Sequence, residues 1–383
     1  ISYEKSGWVN RTLKFNVLSG DNRHMLMVKG GSFADGHGFV YLFSKSYKNA
    51  EGQKVKGSKM VIPFKERLTS PKLEEVAEFK KFVVDLEKPN RRYQLEKASE
   101  KIKEGTSLTD EELQNLGIEA ESQIEDELVK SKKRRKEFVT EWDFAEYVHK
   151  LISSGKFSDK KFKILGEIRY TYSADKQKFY TNMIPSRIYL ANDNDEECST
   201  ATIELLYNKD SLDDGSVDEK GRYYVNGYIF DYDNNLGKDI PCPVTVSLAT
   251  PCEDADEKTK KAFKMYVKQF TVDDDSWKQL GVIVELINGS QKVEIDESML
   301  TEFQQEMILL GELTLDDIRK ELGGSVYGDK VVENKFLKLA RGYSKGREDT
   351  VYTDEKFVVT LEEKEIEDTS DDIFDEDDED IFN

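Results

Sequence analysis

The side chains in this 383-residue chain best suited to chemistry are flat rings and cations set close together. There are 18 Tyr, 20 Phe and 3 Trp, and many lie in alternating runs beside Lys or Arg. The densest group spans 169–189: Arg169, Tyr170, Tyr172, Lys176, Lys178, Phe179, Tyr180, Arg187 and Tyr189. A second run, 223–232, adds Tyr223 and the set Tyr224, Tyr228, Phe230 and Tyr232. In an extended strand the even positions share one face, so those four form a stripe. A third group combines Trp8 with Arg11 and Lys14, and Phe39, Tyr41, Phe43 and Tyr47 with Lys45 and Lys48. Rings beside cations suit a single-stranded nucleic acid, because any base can stack, at about 1–3 kcal/mol each, while the cations track phosphates. The same alternation would equally line a barrel core. That reading suits Phe better than Tyr, whose hydroxyl needs a partner or water.

Other chemistry finds little support. His24, His37 and His149 have no cysteine at ligand spacing, so a structural zinc site is not expected. Asp231-Tyr-Asp233-Asn-Asn235 opens like a calcium loop, but the glycine falls one place late at Gly237 and position twelve is Cys242. Asp273–Asp275 and Asp193–Glu197 read as exposed loops before they read as a two-metal nuclease centre. Lys56-Gly57-Ser58-Lys59 lies between strands and opens no helix, so it and the neighbouring glycines read as turns. Cys198, Cys242 and Cys252, odd in number and widely spaced, read as reduced thiols. No nucleophile motif is present. The expectation is a protein without cofactor, metal or catalytic centre.

Charge is unevenly distributed. Residues 1–70 carry twelve Lys/Arg against five Asp/Glu, whereas 361–383 carry thirteen acids against Lys364 alone, within a net charge of −20. Such asymmetry suggests work on nucleic acid, while the overall charge argues against indiscriminate duplex binding. No stretch approaches the ~20 apolar residues of a membrane helix, and the expected location is the cytoplasm.

The elements that must position these side chains follow from periodicity. Residues 1–69 read as short strands with Gly-rich turns, a basic β region. Residues 70–155 read as a charged helical insertion: Leu73, Val76, Phe79, Val83 and Leu86 recur at helical spacing, and 91–103 forms a second helix. Thr109-Asp-Glu-Glu112 is a capping box opening a helix to about Lys130, and 142–152 makes another. The cations Lys130, Lys132, Lys133, Arg134, Arg135 and Lys136 read as a solvated face or a phosphate patch. Residues 156–296 read as a hairpin (162–189), strands at 200–207, 221–232 and 240–250, a helix at 257–269, and a closing hairpin turning at Asn288-Gly289. This order fits a Greek-key barrel of the OB type, with a sandwich or another small barrel as alternatives. The expected fold class is thus α+β: an OB-like barrel, an added N-terminal β region and a helical insertion. Residues 297–347 supply two short helices (297–310 and 313–322), then Lys335, Phe336, Lys338, Arg341, Tyr343, Lys345 and Arg347. Residues 348–383 form an acidic linker and tail.

Nine of the last sixteen residues are carboxylates, and such a run should be disordered. It is not uniformly polar, since Asp372-Ile373-Phe374 recurs as Asp380-Ile381-Phe382. An apolar pair flanked by acids can anchor in a partner's pocket while the carboxylates meet its cations. The arrangement of a barrel followed by an acidic tail with an apolar tip resembles bacterial and bacteriophage single-stranded DNA-binding proteins. The resemblance implies that Asp377, Asp378, Glu379 and Asp380 are the acidic run and Ile381 and Phe382 the tip that docks replication and recombination proteins. It also implies that the tail competes with DNA for the basic groove. The chain departs from the family's pattern in lacking a proline between Ile381 and Phe382 and in having Asn383 after the aromatic. The competing expectation is an acidic interaction or virion-associated scaffold protein that binds no nucleic acid.

Overall fold

In a computed structural model of the chain, the described residues are 2–3, 7–49, 51–173, 176–215, 217, 221–233, 236–293, 300–311, 313–314, 326–340, 353 and 357. The protein is mixed α+β and divides into two compact units. The first comprises 1–169, 181–201 and 285–334, and the second 170–180, 202–284 and 335–383.

The first unit opens with β1 (Ser2–Tyr3) beside β2 (Trp8–Ser19), which forms a long antiparallel hairpin with β3 (Asn22–Phe33). Then come β4 (Phe39–Phe43), β5 (Tyr47–Lys48), β6 (Lys54–Val55) and β7 (Lys59–Pro63), with β4–β7 and β5–β6 paired as two-stranded ribbons. After β8 (Phe82–Asp85) follow α1 (Arg91–Lys103), α2 (Asp110–Leu116), α3 (Ile124–Lys133), β9 (Arg135–Phe138) and α4 (Glu141–Ser153). The strands β10 (Phe162–Ser173) and β11 (Lys178–Leu190) pair, and β11 runs parallel to both β3 and β8. The core forms where α4 lies on this sheet, with Phe144, Ala145 and Val148 against Val28, Val84 and Ile188. A Cβ at Gly30 would stand 2.5 Å from the Trp142 backbone nitrogen, so glycine is what lets the helix approach the strand. Arg67 fixes the helix start, reaching Asp143 through two hydrogen bonds of 2.7 and 2.9 Å, while Thr140 caps it.

Several expectations change here. The helical spacing from Leu73 to Leu86 does not build a helix: Pro71–Glu75 and Glu78–Lys80 are 3-10 turns and Phe82–Asp85 is a strand. Val83 and Val84 pair with β11 on one side and β9 on the other, and Val76 bridges to Ser44. Their apolar side chains therefore serve different surfaces, and cross-strand pairing overrides the period. The Thr109–Glu112 capping box does form, but its helix stops at Leu116 because Gly117 takes φ 68°, and α3 begins afresh. Gly30 and Gly31 are not a link either. They continue β3, and Gly31 seats the Trp8 ring. Within the 130–136 cluster, Lys130 pairs with Glu127, Arg134 with Glu87 and Arg135 with Glu137, so half of these cations are held by neighbouring acids.

The second unit is built on β12 (Thr200–Tyr207), β13 (Leu212–Asp213), β14 (Arg222–Asp233), β15 (Lys238–Ala249), α5 (Glu257–Phe270), β16 (Lys278–Val293) and β17 (Val326–Leu339). Pairing runs β12–β14–β15–β17–β16 and returns from β16 to β12, a closed five-stranded barrel. Leu205, Val225, Ile240, Val246, Val282 and Val284 are buried. Phe270, at the end of α5, is fully buried, with Tyr207 at 5.5 Å and Phe336 of β17 at 5.7 Å between ring centroids. The expected turn at Asn288-Gly289 is absent, since β16 runs unbroken for 16 residues. Within the first unit, Gly289 stands opposite Asn22, where a Cβ would come within 2.3 Å of the Asp21 carbonyl oxygen. Glycine there serves close approach, and the strand closing the barrel comes instead from 326–339, downstream of the expected 156–296 span. The helix expected at 297–310 is shorter, Glu302–Leu309, and most of the one expected at 313–322 lies outside the described residues.

Candidate nucleic-acid interface

Alternation along β14 and β15 decides which rings the barrel turns outward. Val225 and Gly227 of β14 are buried, as are Ile240, Cys242, Val244, Val246 and Leu248 of β15. The opposite parity of β14 holds Tyr224, Asn226, Tyr228, Phe230 and Tyr232, and across the ladder stand Ser247, Thr245, Pro243, Pro241 and Asp239, of which Thr245, Pro243 and Asp239 are exposed and Ser247 and Pro241 are buried. The stripe foreseen from spacing therefore lies on the outer face, with Tyr224, Tyr228 and Phe230 half-buried and Tyr232 48% exposed. Asn226 and Thr245 are joined by a hydrogen bond of 2.8 Å, which ties the two strands in the middle of that face.

The tip of the β10–β11 hairpin, residues 170–180, belongs to the same unit. Carboxylates of β14 hold it: the Tyr170 N–H donates to Asp231 Oδ2 (2.7 Å) and the Tyr172 N–H to Asp233 Oδ2 (3.1 Å). Asp231 and Asp233 thus serve as acceptors for the hairpin backbone. Tyr172 packs on Phe179 (4.9 Å), while the ammoniums of Lys176 and Lys178 lie 6.0 and 5.9 Å from the ring of Tyr180. Lys176, Lys178 and Tyr180 are exposed, as stacking and phosphate contact require. Tyr170 differs. Burial raises its hydroxyl to about 12, with Cys242 and Asp231 nearby. Burial likewise pushes the Cys242 thiol to about 12, which suits an inert core group.

Three members of the 169–189 group belong to the first unit. Arg169 is bound to Glu167 (2.9 Å), Arg187 donates to the Glu78 carbonyl (3.0 Å), and Tyr189 pairs with Asp85 in the ladder. Of the nine residues, six belong to the barrel unit and three to the first unit.

The third group also separates. Trp8 packs edge-on against Phe33 and donates from Nε1 to Asn10 (3.1 Å), and Arg11 lies over the Trp142 ring at 3.9 Å while donating to Glu146. Arg11 thereby holds α4 to the sheet, and Trp8 packs within the β2–β3 hairpin. Lys14 is exposed on β2. The β4–β7 ribbon buries Leu42 and Ile62 against Val76 and Val139 and turns Phe39, Tyr41, Phe43, Lys59 and Val61 to the other face. Tyr41 is 74% exposed, Tyr47, Lys45 and Lys48 are exposed beyond it, and Lys80 lies 5.4 Å from Phe43 and 5.8 Å from the exposed ring of Phe79.

Two rings of the barrel unit were not foreseen as site residues. Trp277 immediately precedes β16, and its centroid is 5.9 Å from that of Tyr228. Its parity gave a signal, because Leu280, Val282 and Val284 point inward and Trp277 and Gln279 do not. Phe357 stacks on Trp277, and no local pattern in the sequence places it there. The acidic run Asp377–Asp380 and the tip Ile381-Phe382 lie outside the described residues, as do Arg341, Tyr343, Lys345 and Arg347. Among the described residues no group of three or more His, Cys, Asp or Glu could hold a metal ion, and no helix is long and apolar enough to cross a membrane. The Asp273–Asp275 run is occupied locally, with Asp274 accepting from Ser276 and Asp275 paired with Lys209. The chain matches no protein-family model, no curated protein and no solved structure.

Proposed function

We propose that this protein binds single-stranded DNA on the outer face of its barrel and recruits replication or recombination proteins through its acidic tail, in the bacterial cytoplasm. The observation that carries the reading is the outward stripe Tyr224–Tyr228–Phe230–Tyr232, in the same compact unit as the exposed Lys176, Lys178 and Tyr180. Rings sealed in the core could not stack on bases; rings on the outer face can. The strand order supports an OB-type barrel. Its first three strands, β12, β14 and β15, lie side by side, and the fourth, β16, returns after a helix to pair with the first, a Greek-key arrangement. In OB folds the face of the second and third strands takes oligonucleotides, and here those strands are β14 and β15. The acidic tail with its repeated Ile-Phe pair supports partner recruitment in the manner of bacterial and bacteriophage single-stranded DNA-binding proteins.

A fluorescence titration with oligo-dT tests the reading. Quenching that saturates at low salt, weakens as salt rises and is weak for duplex of equal length is expected, with tighter binding once residues 361–383 are removed. A tailless chain that leaves oligo-dT unbound at low salt would overturn it and leave the scaffold alternative.

A further inference from the structure

The outer face of the barrel already holds a stacked ring. Phe357 lies on Trp277 with centroids 3.7 Å apart and planes 18° from parallel. Tyr228 and Phe230 flank the same ring at 5.1 and 5.5 Å, tilted by 49° and 38°. All four residues belong to the barrel unit, and Tyr228 and Phe230 are the central rings of the outward stripe. The indole forms a floor, the other two rings form walls, and the space between accepts one flat ring lying face to face with the floor. That is the geometry a stacked nucleobase requires. The occupant belongs to a segment far along the chain from β14 and β16, beyond the last barrel strand.

We propose that Trp277, Tyr228 and Phe230 form a nucleobase subsite, and that Phe357 occupies it as an intramolecular stand-in that an incoming base must displace. The assignment rests on the single-strand reading above. A base and the phenyl ring cannot share one floor at van der Waals distance, so binding draws only on the fraction of molecules in which Phe357 has left, and the apparent dissociation constant rises accordingly. This competition differs from that of the acidic tail. Charge competition fades as salt rises, because exposed charges are screened. Displacement of one apolar ring by another is governed by stacking and is largely indifferent to salt.

The test compares the full chain with Phe357→Ala and Phe357→Leu by oligo-dT titration at low and high salt, after circular dichroism has shown all of them folded. Removing the ring is expected to tighten binding about tenfold, the scale of one aromatic ring held against others, and to do so equally at both salt concentrations. The leucine variant should behave like the alanine variant, since its side chain is apolar but not flat. In a Trp277→Ala background, which lacks the floor, the Phe357→Ala change should have almost no effect, giving a non-additive cycle. If all the Phe357 variants bind oligo-dT with unchanged or lower affinity, the intramolecular occupant is refuted while DNA binding stands. If folded tailless chains with and without Phe357→Ala both leave oligo-dT unbound at low salt, the single-strand reading itself falls and takes the subsite with it.

Discussion

On the barrel, the rings of Tyr228, Phe230 and Trp277 are half-buried and touch one another and Phe357; on the β4–β7 ribbon, Phe39 and Tyr41 project into solvent from a strand whose other face is core. Lys80 lies near the ribbon rings Phe43 and Phe79, and Lys176 and Lys178 lie near Tyr180 in the barrel unit. What differs is preorganisation. On the proposed reading, a base that displaces Phe357 meets rings already fixed by their neighbours, so little side-chain freedom is lost on stacking. A base arriving at the ribbon must immobilise exposed side chains first. Rings and cations in one strand are thus a common product of half-buried sheet, and a binding face needs rings that also hold each other in place.

The sharpest way to break this comparison is to remove the barrel's rings. Trp277→Ala combined with Tyr228→Ala should weaken oligo-dT binding by about 5- to 150-fold, at roughly 1–3 kcal/mol for the one stacked base. Equal binding by the double variant, measured by anisotropy of a labelled oligonucleotide, would move the site elsewhere. Next in size is a stability effect confined to the first unit. Asp143→Ala strands Arg67 at the start of α4 and should cost about 3 kcal/mol in urea unfolding, yet leave DNA affinity per folded molecule unchanged. A loss of affinity among folded molecules would bring the first unit into the interface. The hairpin tip should act through charge: Lys176→Ala with Lys178→Ala is expected to lower the slope of log K against log salt by about 1.4, or 0.7 for each phosphate no longer neutralised. An unchanged slope would mean those ammoniums meet no phosphate.

Smaller effects sharpen the contrast. Tyr41→Ala with Phe79→Ala on the ribbon face should change oligo-dT affinity by less than about threefold, within the few tenths of a kcal/mol usual for exposed positions. A loss as large as that of the barrel variant would reverse the ranking of the two faces. The helical cluster of the first unit supplies a pH signature. Lys130, and then Arg91, hold the Glu127 carboxyl down at about 2 against an ordinary value of 4.5. A depressed carboxylate contributes stability that is fully present above the ordinary value and is lost as pH falls from 4.5 toward 2. Because the pair is near the surface, that contribution is about 1 kcal/mol at most. Glu127→Gln should flatten the acid limb of the thermal unfolding midpoint by that amount, and an unaltered limb would remove Glu127 as its source.

Much of the barrel could be read from the chain because its evidence is local. Alternation marked β12, β14 and β15 nearly residue by residue, and the parity of Tyr224, Tyr228, Phe230 and Tyr232 came from the same pattern. What alternation cannot say is which parity faces the core. That was decided by the β14–β15 ladder, with Ile240, Cys242 and Val246 buried opposite the rings. The readings that failed depended on distant partners. Val83 sits in a strand because β9 and β11 pair with it, and Asn288-Gly289 does not turn because Asn22, more than 260 residues earlier, lies against it. Arg11 and Arg187 likewise have partners far along the chain, Glu146 and the Glu78 carbonyl, that no local pattern indicates. Phe357 belongs to the same class, because nothing around it in sequence points to Trp277.

Photocrosslinking tests the central claim most directly. A 5-iodouracil-substituted oligo-dT, irradiated with the full chain and mapped by mass spectrometry, should attach to Tyr228, Tyr232, Trp277 or Tyr180, all on the barrel unit. Adducts confined to Phe39, Tyr41, Tyr47 or Phe79, or no adduct at a concentration where binding saturates, would contradict the assignment of the outer barrel face as the site where this protein meets DNA.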